Sequence, residues 1–311
     1  MITLKVKKSI IILAFIYIAA AIIQSQLLLA SDVCWQMQLA RSVLHGGNYV
    51  QNFFETTPPL CFIVLMPEIA IEKLLLVSPI MGVEIYVFLL ASVSLWMCAA
   101  LLKKLFFKDG GQTIPIFLLS LALVFLILPL NSFGQREHFF VLLCMPYFLL
   151  VACRLENKQV GILFSVIIGL CGAIGFSIKP FFLTAFILVE CYAAWVLYAQ
   201  KKYHLSLETL IVIAFQPIYL AIIYIFFKPY LFTVVPITAR FYYQSFSHPW
   251  SSLFLQWPAI FCLLCCLFFL FLYKKNPDKK FSTVLILAMM GNLFSLQSVN
   301  AVMSMISNPF S

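Results

Sequence analysis

Ionisable side chains are scarce in this chain, so the few that gather in polar breaks between apolar runs are the first candidates for chemistry. Asp32 opens residues 31–60, SDVCWQMQLARSVLHGGNYVQNFFETTPPL, the longest polar interlude of the first half. A carboxylate at a helix start is favoured by the partial positive charge there, and directly after a membrane span it stands where a lipid headgroup presents its phosphate. The competing reading is an ordinary helix-start Asp. Arg136, Glu137 and His138 crowd a break of a few residues between two apolar runs, and Asp32 with Glu137 forms the kind of separated acid pair that general-base chemistry uses. Lys179 is fixed beside Pro180 at the end of another run. A cation there suits a lipid phosphate, and snorkelling to water is an equal alternative. Arg240 carries the same two readings. Glu72, Lys73, His45 and His248 read as solvated loop polarity.

What must position these residues follows from composition. Of 311 residues 64% are hydrophobic and 10% charged, against roughly 25% charged in a soluble domain. Mean hydropathy is +1.05, so most of the chain has to face lipid and the expected class is an all-α polytopic membrane protein. The net charge of +9 comes from small Lys/Arg clusters between hydrophobic runs, at Lys5, Lys7 and Lys8, at Lys103, Lys104 and Lys108, at Arg154 and Lys158, at Lys201 and Lys202, and at 274–280. That is a topology signal and not a basic nucleic-acid face. Most of the ten cysteines are lone residues in apolar segments. Cys34 and Cys61 could pair if their loop faced an oxidising compartment, and spacing alone does not fix their distance.

Taken in order, residues 9–30 read as an uncleaved first span with its N-terminus in the cytoplasm, since no short apolar core with a small-x-small site is present. Residues 31–80 read as a first extracytoplasmic loop. In it, Ser31 as N-cap and Gly46-Gly47 as stop frame a helix lying on the membrane surface, with Val33, Met37, Ala40 and Leu44 on one face and Asp32, Gln36, Arg41 and His45 elsewhere. Pro58-Pro59 opens a second surface-lying or shallow helix to about residue 77, because Glu68, Glu72 and Lys73 are too polar for a comfortable span. Further spans are expected at 81–102, 113–130, 139–153, 160–177, 181–200, 207–227, 258–273 and 281–299, with an outer loop at 228–257. That makes nine, and it puts every Lys/Arg cluster on one side and Asp32, Glu55, Arg136, Glu137, His138, Lys179 and Arg240 on the other. Ionisable groups are expected to avoid the span centres. Gly169, Gly172 and Gly175 form a small-residue stripe for helix packing and no nucleotide loop.

The order of these features resembles the membrane-embedded GT-C glycosyltransferases, the superfamily of protein O-mannosyltransferases and lipid A aminoarabinose transferases. Asp32 stands where the family has an acid just after span one, followed by a helix ending at His45-Gly46-Gly47, then Tyr49 and Phe54-Glu55-Thr56-Thr57-Pro58-Pro59-Leu60. Phe133-Gly134-Gln135-Arg136-Glu137-His138 looks like the acidic second loop of bacterial members, and Ile178-Lys179-Pro180 like their Lys-Pro turn. These matches cover roughly residues 9–200 of a single membrane domain, 1–311.

The resemblance implies a bacterial inner-membrane enzyme that moves a sugar from a polyprenyl-phosphate carrier to an acceptor hydroxyl on a lipid, glycan or protein, outside the cytoplasm and with inversion. Asp32 would be the general base and Glu137 a second acid. Lys179, with Arg136 and Arg240, would meet the departing lipid phosphate, while Glu55 and His138 would order the loops or hold a divalent metal. Whether a metal assists differs among members. The tail, 281–311, departs from the family pattern, which implies a truncated or frameshifted copy. Two other readings stand beside this one, a polytopic transporter or flippase and an inactive remnant.

Overall fold

The computed structural model describes residues 2–106, 113–202 and 204–242, with Ile260, Leu264, Leu267, Thr283, Val284 and Ala288. Among the described residues the regular structure is helical throughout. Tyr49 and Phe53 form one isolated bridge, and there is no strand. An apolar chain without water to satisfy its backbone has this solution because helices close their hydrogen bonds within one segment. Among the described residues five helices are long and apolar enough to cross a membrane: Ser9–Gln26, Pro79–Leu105, Arg136–Leu155, Pro180–Ala199 and Leu207–Phe226.

The chain divides into two compact units, Met1–Gly46 with Leu60–Leu150, and Gly47–Pro59 with Val151–Ser311. In the first, α1 (Ile2–Gln26), α5 (Pro79–Leu105) and α6 (Thr113–Leu126) pack together, and the start of α7 (Arg136–Leu155) joins them. The chain enters α5 through Ser78, whose hydroxyl accepts from the Met81 N–H at 3.3 Å, with Pro79 at the first helical position where its missing N–H costs nothing. Polar groups tie the helices where apolar packing has no preference over lipid: Tyr17 to Ser92 at 2.7 Å, and the Ser94 hydroxyl donating to the Leu142 carbonyl at 2.6 Å. On α1, Ile10, Ile11, Phe15, Ile18 and Ile22 stay exposed, an apolar belt suited to acyl chains.

Between α1 and α5 lie α2 (Ser31–Leu44), α3 (Leu60–Ile63) and α4 (Met66–Leu75). The expected helix at 31–45 forms, with a shifted cap: Ala30 is the extended N-cap residue, and Ser31 is the first helical residue and caps no N–H. Of the residues expected on one face, Val33, Met37 and Ala40 are buried against the protein while Leu44 is 55% exposed, and Gln36, expected elsewhere, is buried with them. Gln36 lies three residues beyond Val33 and four before Ala40, hence on the packed face, while α2 contacts α3 and α4 and stops at Leu44. The expected shallow helix is split into α3 and α4. Cys34 is exposed and Cys61 buried, both as free thiols.

The second unit holds the end of α7, then α8 (Ile162–Ser177), α9 (Leu183–Ala199) and α10 (Leu207–Phe226). The glycine stripe does what a small-residue stripe permits, since α8 lies against α10 and a β-carbon on Gly169 would sit 3.1 Å from the Glu208 Cα. Ser177 and Gln216 pair across the same contact at 2.9 Å. The start of the expected loop at 228–257 is helical instead. Tyr230–Val234 and Thr238–Tyr242 are π-helical turns around Val235–Ile237, as an apolar run with few breakers prefers internal hydrogen bonds to an open loop. The expected spans at 9–30, 81–102, 139–153, 181–200 and 207–227 fall on the five long apolar helices, those at 113–130 and 160–177 on the shorter α6 and α8 of 14 and 16 residues, and those at 258–273 and 281–299, with the tail, lie largely outside the described residues.

Candidate functional site

Arg136 begins α7, which is the wrong end of a helix for a cation, because the unsatisfied N–H groups there already carry partial positive charge. Its partner is Asp32, in the first turn of α2, 104 positions away in the chain. The Arg136 Nη2 donates to Asp32 Oδ2 at 2.8 Å. Each helix start thereby lends the other a compensating charge, with Glu137 adding a further carboxylate in the first turn of α7. The Asp32 side chain is 60% exposed and that of Arg136 18%, so the pair shows its carboxylate to the surroundings and keeps its guanidinium largely covered. Of the acids singled out from sequence, the structure brings Asp32 and Glu137 to neighbouring helix starts, both exposed.

The turn that delivers Arg136 is held by its own backbone. Gly134 has φ +75, a left-handed conformation that a side chain would strain, and a β-carbon there would also meet Val83 at 3.3 Å. The Gly134 N–H donates to His138 Nδ1 at 3.1 Å, so Nε2 carries the proton and donates to the Phe125 carbonyl at 2.8 Å. His138 is buried and joins the end of α6 to the start of α7. Beside Asp32 a cleft of about 10 Å³ is lined by Gln36, Cys61, Gly134, Arg136 and Phe139, with room for one water and none for a sugar ring. Anything larger than a water can reach the Asp32 carboxylate only from its exposed side.

The other sequence-predicted residues belong to the second unit. Glu55 is buried and accepts the Thr57 N–H at 2.7 Å, while the fully buried Tyr49 donates its hydroxyl to the Thr57 carbonyl at 3.0 Å. The Tyr49 ring packs on Tyr230 at 5.1 Å and Phe227 at 6.1 Å, so these contacts pin residues 49–57. Lys179 lies over Phe182, three residues on, at 5.8 Å and Arg240 over the adjacent Phe241 at 5.3 Å, both local cation–π contacts. Glu55 and His138 do not fit a metal. The Glu55 carboxylate is engaged with loop backbone and both His138 nitrogens are taken by backbone, and among the described residues no three His, Cys, Asp or Glu side chains group to hold an ion.

Two ionic clusters escape the sequence reading. Glu72 is not a solvated loop acid: it pairs with Arg41, which also reaches Glu68 at 3.0 Å and so fastens α2 to α4. Glu68 is fully buried. Burial pushes its carboxyl above the usual range; the Arg41 charge pulls it down, and the Glu72 charge raises it further. The spacing of Glu68 and Glu72, four apart on one helical face, is the signal that a shared cation was to be expected. In the second unit Arg154 donates to Glu190 at 2.8 Å, Glu208 at 3.0 Å, Thr209 at 2.9 Å and Ser206. Glu190 sits inside α9, which corrects the expectation that ionisable groups avoid span centres; the lone acid in the run at 181–200 was the available signal. Comparison with protein-family models, curated proteins and solved structures gives no match.

Proposed function

We propose that this chain is a membrane-embedded glycosyltransferase that moves a sugar from a polyprenyl-phosphate carrier to an acceptor hydroxyl, with Asp32 as general base. The observation that carries the reading is the Asp32–Arg136 pair, an exposed carboxylate held at 2.8 Å by a covered guanidinium where two helices begin. In the reaction the acceptor oxygen attacks the anomeric carbon, the bond from that carbon to the phosphate oxygen breaks, and the polyprenyl phosphate leaves with the electron pair. The acceptor proton passes to Asp32. The phosphate is a good leaving group once its charge is met, so positioning, a base and positive charge are what the protein supplies. Arg136 orients Asp32 and offers its remaining donors to anionic substrate oxygens. Glu137 assists from the next helix start. Lys179 and Arg240 enter through the family resemblance, as cations for the lipid phosphate.

The reading extends to a bacterial inner-membrane protein of nine spans with a cytoplasmic N-terminus, α2 and α4 lying along the outer surface and Asp32 outside. Purified full-length protein given a labelled polyprenyl-phosphate sugar and an acceptor should release polyprenyl phosphate, and Asp32→Asn should lower turnover at least about 100-fold, the scale of a lost general base. Undiminished turnover in that variant overturns the role of Asp32.

The Arg154–Glu190–Glu208 network favours a second reading, a transporter or flippase, because charge inside apolar helices marks ion and substrate paths in such proteins. Substrate uptake into proteoliposomes without covalent change would support it against the first.

A further inference from the structure

The Arg154 cluster borders a cavity. Where the end of α7 meets α9 and α10, a space of about 260 Å³ opens beside it. That is far above the roughly 10–15 Å³ one water needs, and just under the ~300–1,000 Å³ of sites for drug-sized ligands. Its walls are apolar, from the covered Phe186 and Leu197 and the half-exposed Ile187 and Ile213, which leave it open on one side, and its polar lining is Arg154, Glu190 and His204 with the Ser206 and Thr209 hydroxyls. Arg154 is 10% exposed and Glu190 15%, so this part of the lining is largely removed from solvent and fixed by four hydrogen-bonded partners of the guanidinium.

Charge selects the ligand. One guanidinium faces the carboxylates of Glu190 and Glu208, and with His204 counted neutral at pH 7 the cluster carries a formal excess of one negative charge. A carboxylate or phosphate entering the cavity would meet Arg154 already engaged and two acids beside it. A protonated amine would add the missing positive charge next to Glu190, with hydroxyl oxygens as further acceptors and hydrocarbon walls for the rest of the molecule. A staple that only joined α7, α9 and α10 would be complete without such a space. We propose that this cavity is a binding site for a compact hydrophobic amine in its protonated form, anchored on Glu190 and independent of the chemistry at Asp32.

The test uses the full chain in a neutral maltoside detergent at pH 7, with radiolabelled phenethylamine in equilibrium dialysis and 3-phenylpropionate as the anion of matching shape. Phenethylamine should bind saturably at one per chain, at least about tenfold more tightly than the anion, a difference of roughly 1.4 kcal/mol. Ala194→Phe, which fills the cavity from its α9 wall without touching the ion pairs, should abolish binding while the protein stays folded. Glu190→Gln should weaken the amine about tenfold and bind the anion at least as well as the wild type does. Equal binding of amine and anion, no saturable binding to folded protein, or full binding in Ala194→Phe would each overturn the proposal. Should Glu190→Gln fail to fold, the ligand series and Ala194→Phe still decide. Binding should persist in Asp32→Asn.

Discussion

At the residue scale, Asp32 and Glu68 are two carboxylates paired to arginines with opposite exposure, and that difference sets what each can do. Asp32 is 60% exposed, so its ion pair contributes below about 1 kcal/mol to stability. Asp32→Asn should therefore melt close to the wild type, within about 1 kcal/mol, so a loss of turnover in that variant reports chemistry and not unfolding. Glu68 is buried beneath Arg41, and removing the cation leaves it with Glu72 as neighbour. Arg41→Ala should destabilise the chain by about 2 kcal/mol, less than the ~3–5 of a fully buried pair because Arg41 is 28% exposed and Glu68 can take up a proton. The pH dependence has a definite sign. Since the folded carboxyl titrates above the ordinary value of 4.5, the folded state holds the proton longer than the unfolded one. The resulting stabilisation is present below about 4.5 and is lost as pH rises through the folded value. Melting temperatures of detergent-solubilised protein between pH 4 and 8 should show the wild type losing ground to Glu68→Gln as pH rises, the difference between the two isolating this carboxyl.

At the element scale, helix against helix is decided by small residues and a few polar contacts, because lipid competes with apolar side chains on equal terms. Gly169 is the clearest case. A β-carbon there would lie 3.1 Å from the backbone of Glu208, and backbone cannot rotate away. Gly169→Ala should push α8 from α10, cost about 1–3 kcal/mol, and loosen the Arg154–Glu208 pair; a lowered melting temperature measures the first effect. The hydroxyl of Ser94 joins α5 to α7 through the Leu142 carbonyl, and Ser94→Ala should cost about 0.6 kcal/mol on the same measurement. The glycine stripe was legible in the sequence because its spacing of three sets Gly169, Gly172 and Gly175 along one side of α8. Its partner α10 was not, since spacing within one helix carries no information about which helix it meets.

For the whole molecule, the nine alternating crossings proposed above would set which side each connection faces. Reporter fusions after Lys158 and Lys202 should report the cytoplasm, and fusions after Gln135, Lys179 and Ser311 the outside. A cytoplasmic signal after Gln135 would remove Asp32 and Glu137 from the outer face and with it the proposed donor chemistry.

Much of this protein follows from its residue order. Apolar runs of spanning length fold as helices in any tertiary setting, because a backbone deprived of water must satisfy itself within the segment, and α1 and α5 to α10 accordingly fall where the hydropathy places them. The helix at 31–44 and the turn before α7 were also legible, from a Gly-Gly stop and from a crowd of charges in a short break. Tertiary structure alone decided the partners. Arg136 meets Asp32 across 104 positions, Arg154 meets Glu190 and Glu208 across 36 and 54, and Arg41 meets Glu68 across 27. A charge in a sparse sequence announces that it needs a partner, since burying it alone is prohibitive, but which partner it finds depends on how whole helices pack.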